Sequence, residues 1–258
     1  MQLTRIALNA WGIPAGSHHH EAEISMHLDR WIGGIFALGS SLFVLASVLS
    51  LLPELAARWS MGTIAINAIY FAGSIPFSVA AYLQLFQSAN QDSIEDPIDG
   101  KQRQDLILIG WKPGDSTWLS CFLQFLGTLF FNMNTFDAMM PTLTWFQYDV
   151  AVWAPNIIGS ILFITSGYVA FTDTCRRSGY WQPAKLFWWV AFINLLGCIA
   201  FLASSLFSII LPGLPESGMA LTAVAFTLSG ACCFLTASWL MTIPSKHAPN
   251  SQPSAGHL

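Results

Sequence analysis

From Trp31 to Leu52 the chain reads WIGGIFALGSSLFVLASVLSLL, a run of 22 residues without a charge, a histidine or a proline. As a helix it rises about 33 Å, enough to cross a hydrocarbon core about 30 Å thick. Near its middle stands Gly39-Ser-Ser-Leu-Phe43. Glycine followed four positions later by phenylalanine recurs in five further apolar runs, at Gly73-Ser-Ile-Pro-Phe77, Gly127-Thr-Leu-Phe-Phe131, Gly159-Ser-Ile-Leu-Phe163, Gly197-Cys-Ile-Ala-Phe201 and Gly230-Ala-Cys-Cys-Phe234. The six runs cover approximately Trp31 to Leu52, Gly62 to Phe86, Trp118 to Thr135, Val150 to Phe171, Leu186 to Leu211 and Gly218 to Ile243, and none contains Lys, Arg, Glu or His. They are too long for tilted barrel strands and lack a period of two. The expected fold is therefore all-α, a polytopic membrane protein with six transmembrane helices.

The composition agrees. Of 258 residues, 54% are apolar and 9% charged, with a mean hydropathy of +0.54, against roughly 25% charge in a soluble domain. The net charge of −4 and the lack of a long basic block exclude nucleic acid as an expected partner. Membrane lipid is the expected surround.

The motif glycines are separated by 34, 54, 32, 38 and 33 residues. The three short intervals describe three antiparallel helical hairpins, residues 31–86, 118–171 and 186–243, joined by loops 87–117 and 172–185 and flanked by tails 1–30 and 244–258. Residues i and i+4 share a helix face, so each run presents a notch at glycine and a knob at phenylalanine. Small residues let membrane helices approach closely, and an antiparallel pair then seats each knob in its partner's notch. Pro76 removes a hydrogen bond inside the second run and predicts a bend there, whereas Pro155 falls in a first helical turn that accepts it.

Lys and Arg set the orientation. Arg5, Arg30, Lys101, Arg103, Lys112, Arg176, Arg177, Lys185 and Lys246 fall on one side, and Arg58 alone on the other. The positive-inside rule then places both termini in the cytoplasm, with the plasma membrane favoured. No cleavable signal peptide is expected, because no continuous apolar stretch precedes Pro14. Trp31, Trp118, Trp188, Trp189 and Trp239 are expected as an inner interfacial belt, and Trp59, Trp145 and Trp153 as an outer one.

Polar residues within spans need partners and are candidate functional groups. Asn67, Asn132, Asn134, Asp137 and Asn156 fall in the outer half or at its edge, with Asn194 in the inner half of the fifth run, and together they outline a possible polar cavity. Asn132, Asn156 and Asp137 are expected to converge on one outward-opening site; capping and cross-helix bonding is the other reading. Outside the spans, His18, His19, His20 and His27 with nearby carboxylates offer ligands for a borderline metal, or form a solvated tail. Leu106 to Trp111 is too short to span and reads as a small surface strand or a partner contact. The five cysteines show no metal or disulfide spacing and read as small apolar residues. No cofactor is expected.

The repeated Gly-Ser-x-x-Phe spans resemble the YrhK-like membrane domain. The resemblance is carried by Gln124 with Gly127-Thr-Leu-Phe-Phe-Asn132 and Thr135, by Val152-Trp-Ala-Pro-Asn156 with Gly159-Ser-Ile-Leu-Phe163, by Trp188-Trp189 with Asn194-Leu-Leu-Gly197, and by Gly230-Ala-Cys-Cys-Phe234. It covers residues 31–243, most loosely over the first pair, and implies multi-span architecture without an activity. Paired intramembrane carboxylates, a histidine or lysine within a span and a Ser-His-Asp ordering are all lacking, so hydrolysis and proton pumping have no visible chemistry. The leading expectation is a non-enzymatic membrane protein of structural or interaction type, with a protein partner or a homo-oligomer possible. The alternative is a transporter or channel for a small, weakly charged solute, and a membrane-embedded enzyme is the third reading.

Overall fold

The computed structural model describes residues 18–90, 107–140, 143–178, 181–209 and 216–243. Among these the chain is helical, with no strand. The elements are α1 (His18–Leu51), α2 (Pro53–Arg58), α3 (Thr63–Ala89), α4 (Ser116–Asp137), α5 (Trp145–Tyr148), a π-helical turn π1 (Asp149–Trp153), α6 (Ala154–Ser178), α7 (Leu186–Phe207) and α8 (Glu216–Thr242).

Helices α1, α3, α4, α6, α7 and α8 alternate in direction and close a ring in chain order, each packed against its predecessor and successor, with α8 returning to α1. The near end of the ring is where α1, α4 and α7 begin and α3, α6 and α8 finish; the far end is opposite. Among the described residues, five segments are long and apolar enough to cross a membrane: His27–Leu51, Thr63–Ala89, Trp145–Arg177, Leu186–Phe207 and Gly218–Thr242. Helix α4 is not among them. Its 22 residues have the length, but Gln124, Asn132, Asn134 and several hydroxyl residues dilute its apolar content. Large apolar side chains such as Leu38, Ile75, Met133, Ile161, Ile199 and Leu221 are exposed on the outside of the ring, as a lipid-facing surface requires.

Local chemistry fixes the helix ends. Asp115 caps α4, its carboxylate accepting from the Thr117 and Trp118 N–H groups at 2.7 and 3.3 Å. Thr144 and Gln147 form a reciprocal capping box on α5. Helix α3 runs through Pro76. Before Pro155 the backbone widens into π1, where the Ala154 N–H reaches back to the Asp149 carbonyl; proline lacks the N–H that the α-helical ladder needs, and the wider turn takes up the mismatch.

Two expectations are corrected here. Trp118 and Trp188 are 0% and 2% exposed; they are not interfacial anchors but stack on Phe122 and Phe192 at 4.9 and 5.1 Å between ring centroids. Residues 107–111 form no strand. They are pinned by buried Asn90, whose amide donates to the Ile107 carbonyl and accepts from its N–H, both at 2.8 Å, while Trp118 Nε1 donates to the Ile109 carbonyl at 3.0 Å. Asn90→Ala removes both bonds at a residue that is 1% exposed, so we expect a loss of about 1–3 kcal/mol in stability. Thermal unfolding in detergent measures this, with early proteolysis near Gly110 as a local signature.

Candidate functional site

The six motif phenylalanines meet on the ring axis in a single buried cluster with Phe36, Ala80, Ala81 and Cys198. They stack in two tiers because their helices alternate in direction. Phe77, Phe163 and Phe234 point toward the near end, with Phe77 and Phe163 each 6.1 Å from Phe234. Phe43, Phe131 and Phe201 lie one tier further, with Phe43 and Phe131 at 6.0 and 5.5 Å from Phe201. Contacts of 5.3, 4.9 and 5.2 Å join the tiers at Phe43–Phe77, Phe131–Phe163 and Phe201–Phe234. None of the six is more than 8% exposed.

The motif glycines admit these rings. A Cβ at Gly39 would stand 2.8 Å from the Gly73 carbonyl oxygen, and one at Gly73 would stand 2.9 Å from Phe43. At Gly127 and Gly159 it would meet Phe163 and Phe131 at 2.5 and 3.0 Å; at Gly197 and Gly230, Phe234 and Phe201, both at 2.6 Å. Only hydrogen leaves room for such approaches.

On the near side of the phenylalanine plug lies a cavity of about 680 Å³ lined by all six long helices. Its floor includes Phe36, Phe77, Phe163 and Phe234, and among the described residues the charged ones on its wall are Asp29, Asp173 and Lys185, all toward the mouth. Each is already engaged. Asp29 accepts from Gln87 Nε2 at 2.8 Å, Asp173 pairs with Arg177 at 2.8 Å, and the Lys185 ammonium sits 5.5 Å from the centre of the Phe187 ring. Gln84 lines the wall within a turn of Gln87, the partner of Asp29, and Gln124 and Asn194 line it closer to the plug, together with Ser120, Ser238, Cys121 and Cys198.

Of the six residues expected to outline a polar cavity, Asn194 alone lines this one. The others lie toward the far end. Asn67 Nδ2 donates to the Ala138 carbonyl at 2.6 Å and Asn132 Nδ2 donates to Ser78 Oγ at 2.8 Å, so both serve the boundary between α3 and α4. Asn156 faces α7 instead, donating to Ser208 Oγ and accepting from Ser205 Oγ, each at 3.1 Å. Asn132 and Asn156 are thus bonded to different neighbours, with Asn132 Oδ1 buried and unbonded among the described residues. Asn134 and Asp137 are half-buried near the end of α4, where their backbone carbonyls accept from Ala138 and Met140. The side chains of His18, His19 and His20 lie outside the described residues, His27 is exposed, and among the described residues no group of three or more potential ligands gathers.

Serine and threonine pairs tie neighbouring helices around the site. Ser120 and Ser166 bond at 3.1 Å, Ser204 and Thr227 at 2.7 Å, and Ser47 with Tyr70 at 2.8 Å. Such bonds keep hydroxyls paired where lipid offers no partner. No protein-family model, curated protein or solved structure matches the chain.

Proposed function

We propose that the chain is a six-span membrane protein whose three two-helix repeats, of the YrhK-like kind, enclose a path for a small, weakly charged solute. The path is open to the cytoplasm at the near end and closed by the phenylalanine plug. The observation carrying this reading is the cavity that all six long helices line and that ends on the plug. A hydrophobic constriction beneath a wet vestibule is a known way to gate a pore. Helix α4 fits as the sixth span because its polar groups turn to the cavity or to neighbouring helices. Gln124 lines the cavity, Ser120 bonds Ser166, and Asn132 and Thr135 bond Ser78 and Ser74. Lys185 and Arg177 at the near end, against Arg58 at the far end, support the cytoplasmic placement.

A second reading, a non-enzymatic structural or interaction component, draws on the close packing of the plug. The two part on access to the cavity. In a chain otherwise free of cysteine, Asn194→Cys is expected to react with a membrane-impermeant thiol reagent from the cytoplasmic face of inverted vesicles and not from the outer face. Labels near Arg58 should react only from outside and those near Arg177 only from inside. A cysteine at 194 that reacts from neither face removes the vestibule, and one reacting from outside reverses the orientation.

A further inference from the structure

The cavity wall carries hydrogen-bonding groups that no described residue uses. The side-chain amides of Gln84, Gln124 and Asn194 make no hydrogen bond with any described residue. Gln124 and Asn194 each stand eight residues past the start of their helices, α4 and α7, about 12 Å along the axis from the near end. Gln84 enters from α3, five residues before its last residue. Three amides from three helices therefore line one cavity, Gln84 nearer its mouth than Gln124 and Asn194, above a floor of aromatic rings.

The chemistry of that space narrows what it accepts. An ammonium or carboxylate ligand seated between Gln124 and Asn194 would lose its water with no opposite charge beside it among the described residues, since Asp29, Asp173 and Lys185 stand nearer the mouth. A purely apolar ligand would strip water from three amides and return nothing. A primary amide is donor and acceptor side by side, and its best complement presents N–H beside C=O. The rings of Phe36, Phe77, Phe163 and Phe234 favour a flat face against them.

Taking the solute-path reading as its basis, we propose that the cavity binds an uncharged planar solute with adjacent N–H donors and C=O acceptors, of the nucleobase or ureide class, held by Gln84, Gln124 and Asn194 over the phenylalanine floor.

Equilibrium binding of radiolabelled uracil to the purified full-length protein in detergent tests this. Uracil should bind saturably, with orotate, its carboxylated analogue, and toluene, its apolar counterpart, each at least about tenfold weaker. Gln124→Leu and Asn194→Leu should each weaken uracil about tenfold, the loss of one or two neutral hydrogen bonds. Gln124→Glu, which keeps the side-chain shape and adds a charge at that depth, should weaken it at least as much while leaving the melting temperature within a few degrees of native. Absence of saturable uracil binding, or binding that these substitutions leave unchanged, overturns the proposal. Tighter binding of orotate or toluene through the same residues overturns the ligand class. In all those cases labelling of Asn194→Cys from the cytoplasmic face would leave the solute path standing, and its failure would remove the path itself.

Discussion

Liposomes carrying the protein with Phe43→Ala and Phe201→Ala should release small neutral solutes at least about tenfold faster than liposomes carrying the native chain, since a barrier lowered by about 1.4 kcal/mol already gives that factor. Both rings belong to the far tier of the plug and touch each other at 6.0 Å. With them gone, the cavity extends toward the far end and water is no longer excluded from the constriction. The substitutions also weaken the fold, because each Phe→Ala change in a packed core costs about 3–5 kcal/mol. Phe201→Leu keeps most of the volume and serves as the milder variant, with a smaller rise in release. Stopped-flow light scattering with glycerol or urea gradients gives the rates. Native-like tightness of both variants, at retained fold, would mean that the plug seals nothing.

The largest loss of stability should come from the motif glycines. Gly39→Leu drives a side chain against the Gly73 carbonyl, 2.8 Å from where its Cβ would lie, and a backbone atom in a packed hairpin cannot swing aside. Gly127→Leu displaces Phe163, whose ring stands 2.5 Å from the Cβ position, and with it one corner of the plug. Each is expected to cost several kcal/mol or to abolish folding, on the order of 3–5 kcal/mol by analogy with other severe core disruptions. Gly34 is the internal control. It lies in the same helix as Gly39 with nothing within 4 Å of an added Cβ, so Gly34→Ala should be neutral or up to about 1 kcal/mol stabilising through helix propensity. Thermal aggregation in detergent ranks the three. Equal behaviour of Gly34→Ala and Gly39→Leu would show that the contact between Gly39 and Gly73 contributes nothing.

The glycine and phenylalanine positions were legible because their spacing puts both on one helix face, a relation that helix geometry alone fixes. The cavity was less so. Gln124 and Asn194 each precede a motif glycine by three residues, as does Asn156 before Gly159. Helices α4 and α7 run from the near end and α6 from the far end, so the same offset sets Gln124 and Asn194 on the cavity side of the plug and Asn156 on the other. Which of these groups faces the axis and which faces a neighbour depends on how each helix is rotated within the ring, and periodicity within one helix carries no such information. Asn132 and Asn156 lie in the same half of the bundle, yet their partners, Ser78 on α3 and Ser205 on α7, lie on opposite neighbours. Tryptophan misled for a related reason. Trp118 and Trp188 stand at helix starts, where an interfacial ring is expected, but Phe122 and Phe192 one turn along offer each of them a stacking partner that takes it out of solvent.

Ring closure also has a bearing on how the molecule is made. The seam that completes it joins the first long helix to the last: a Cβ at Gly33 would lie 3.0 Å from the Ser238 carbonyl oxygen and 3.2 Å from Thr242. These partners lie about 200 residues apart in the chain, so the flank of α1 that α8 covers has no partner until α8 has been made. The same holds for the plug, where Phe234 is the last ring to arrive and the one that both Phe77 and Phe163 touch. The cavity therefore comes into being only once α8 has been made, and a chain interrupted before that helix leaves an unsealed arc of helices in the bilayer.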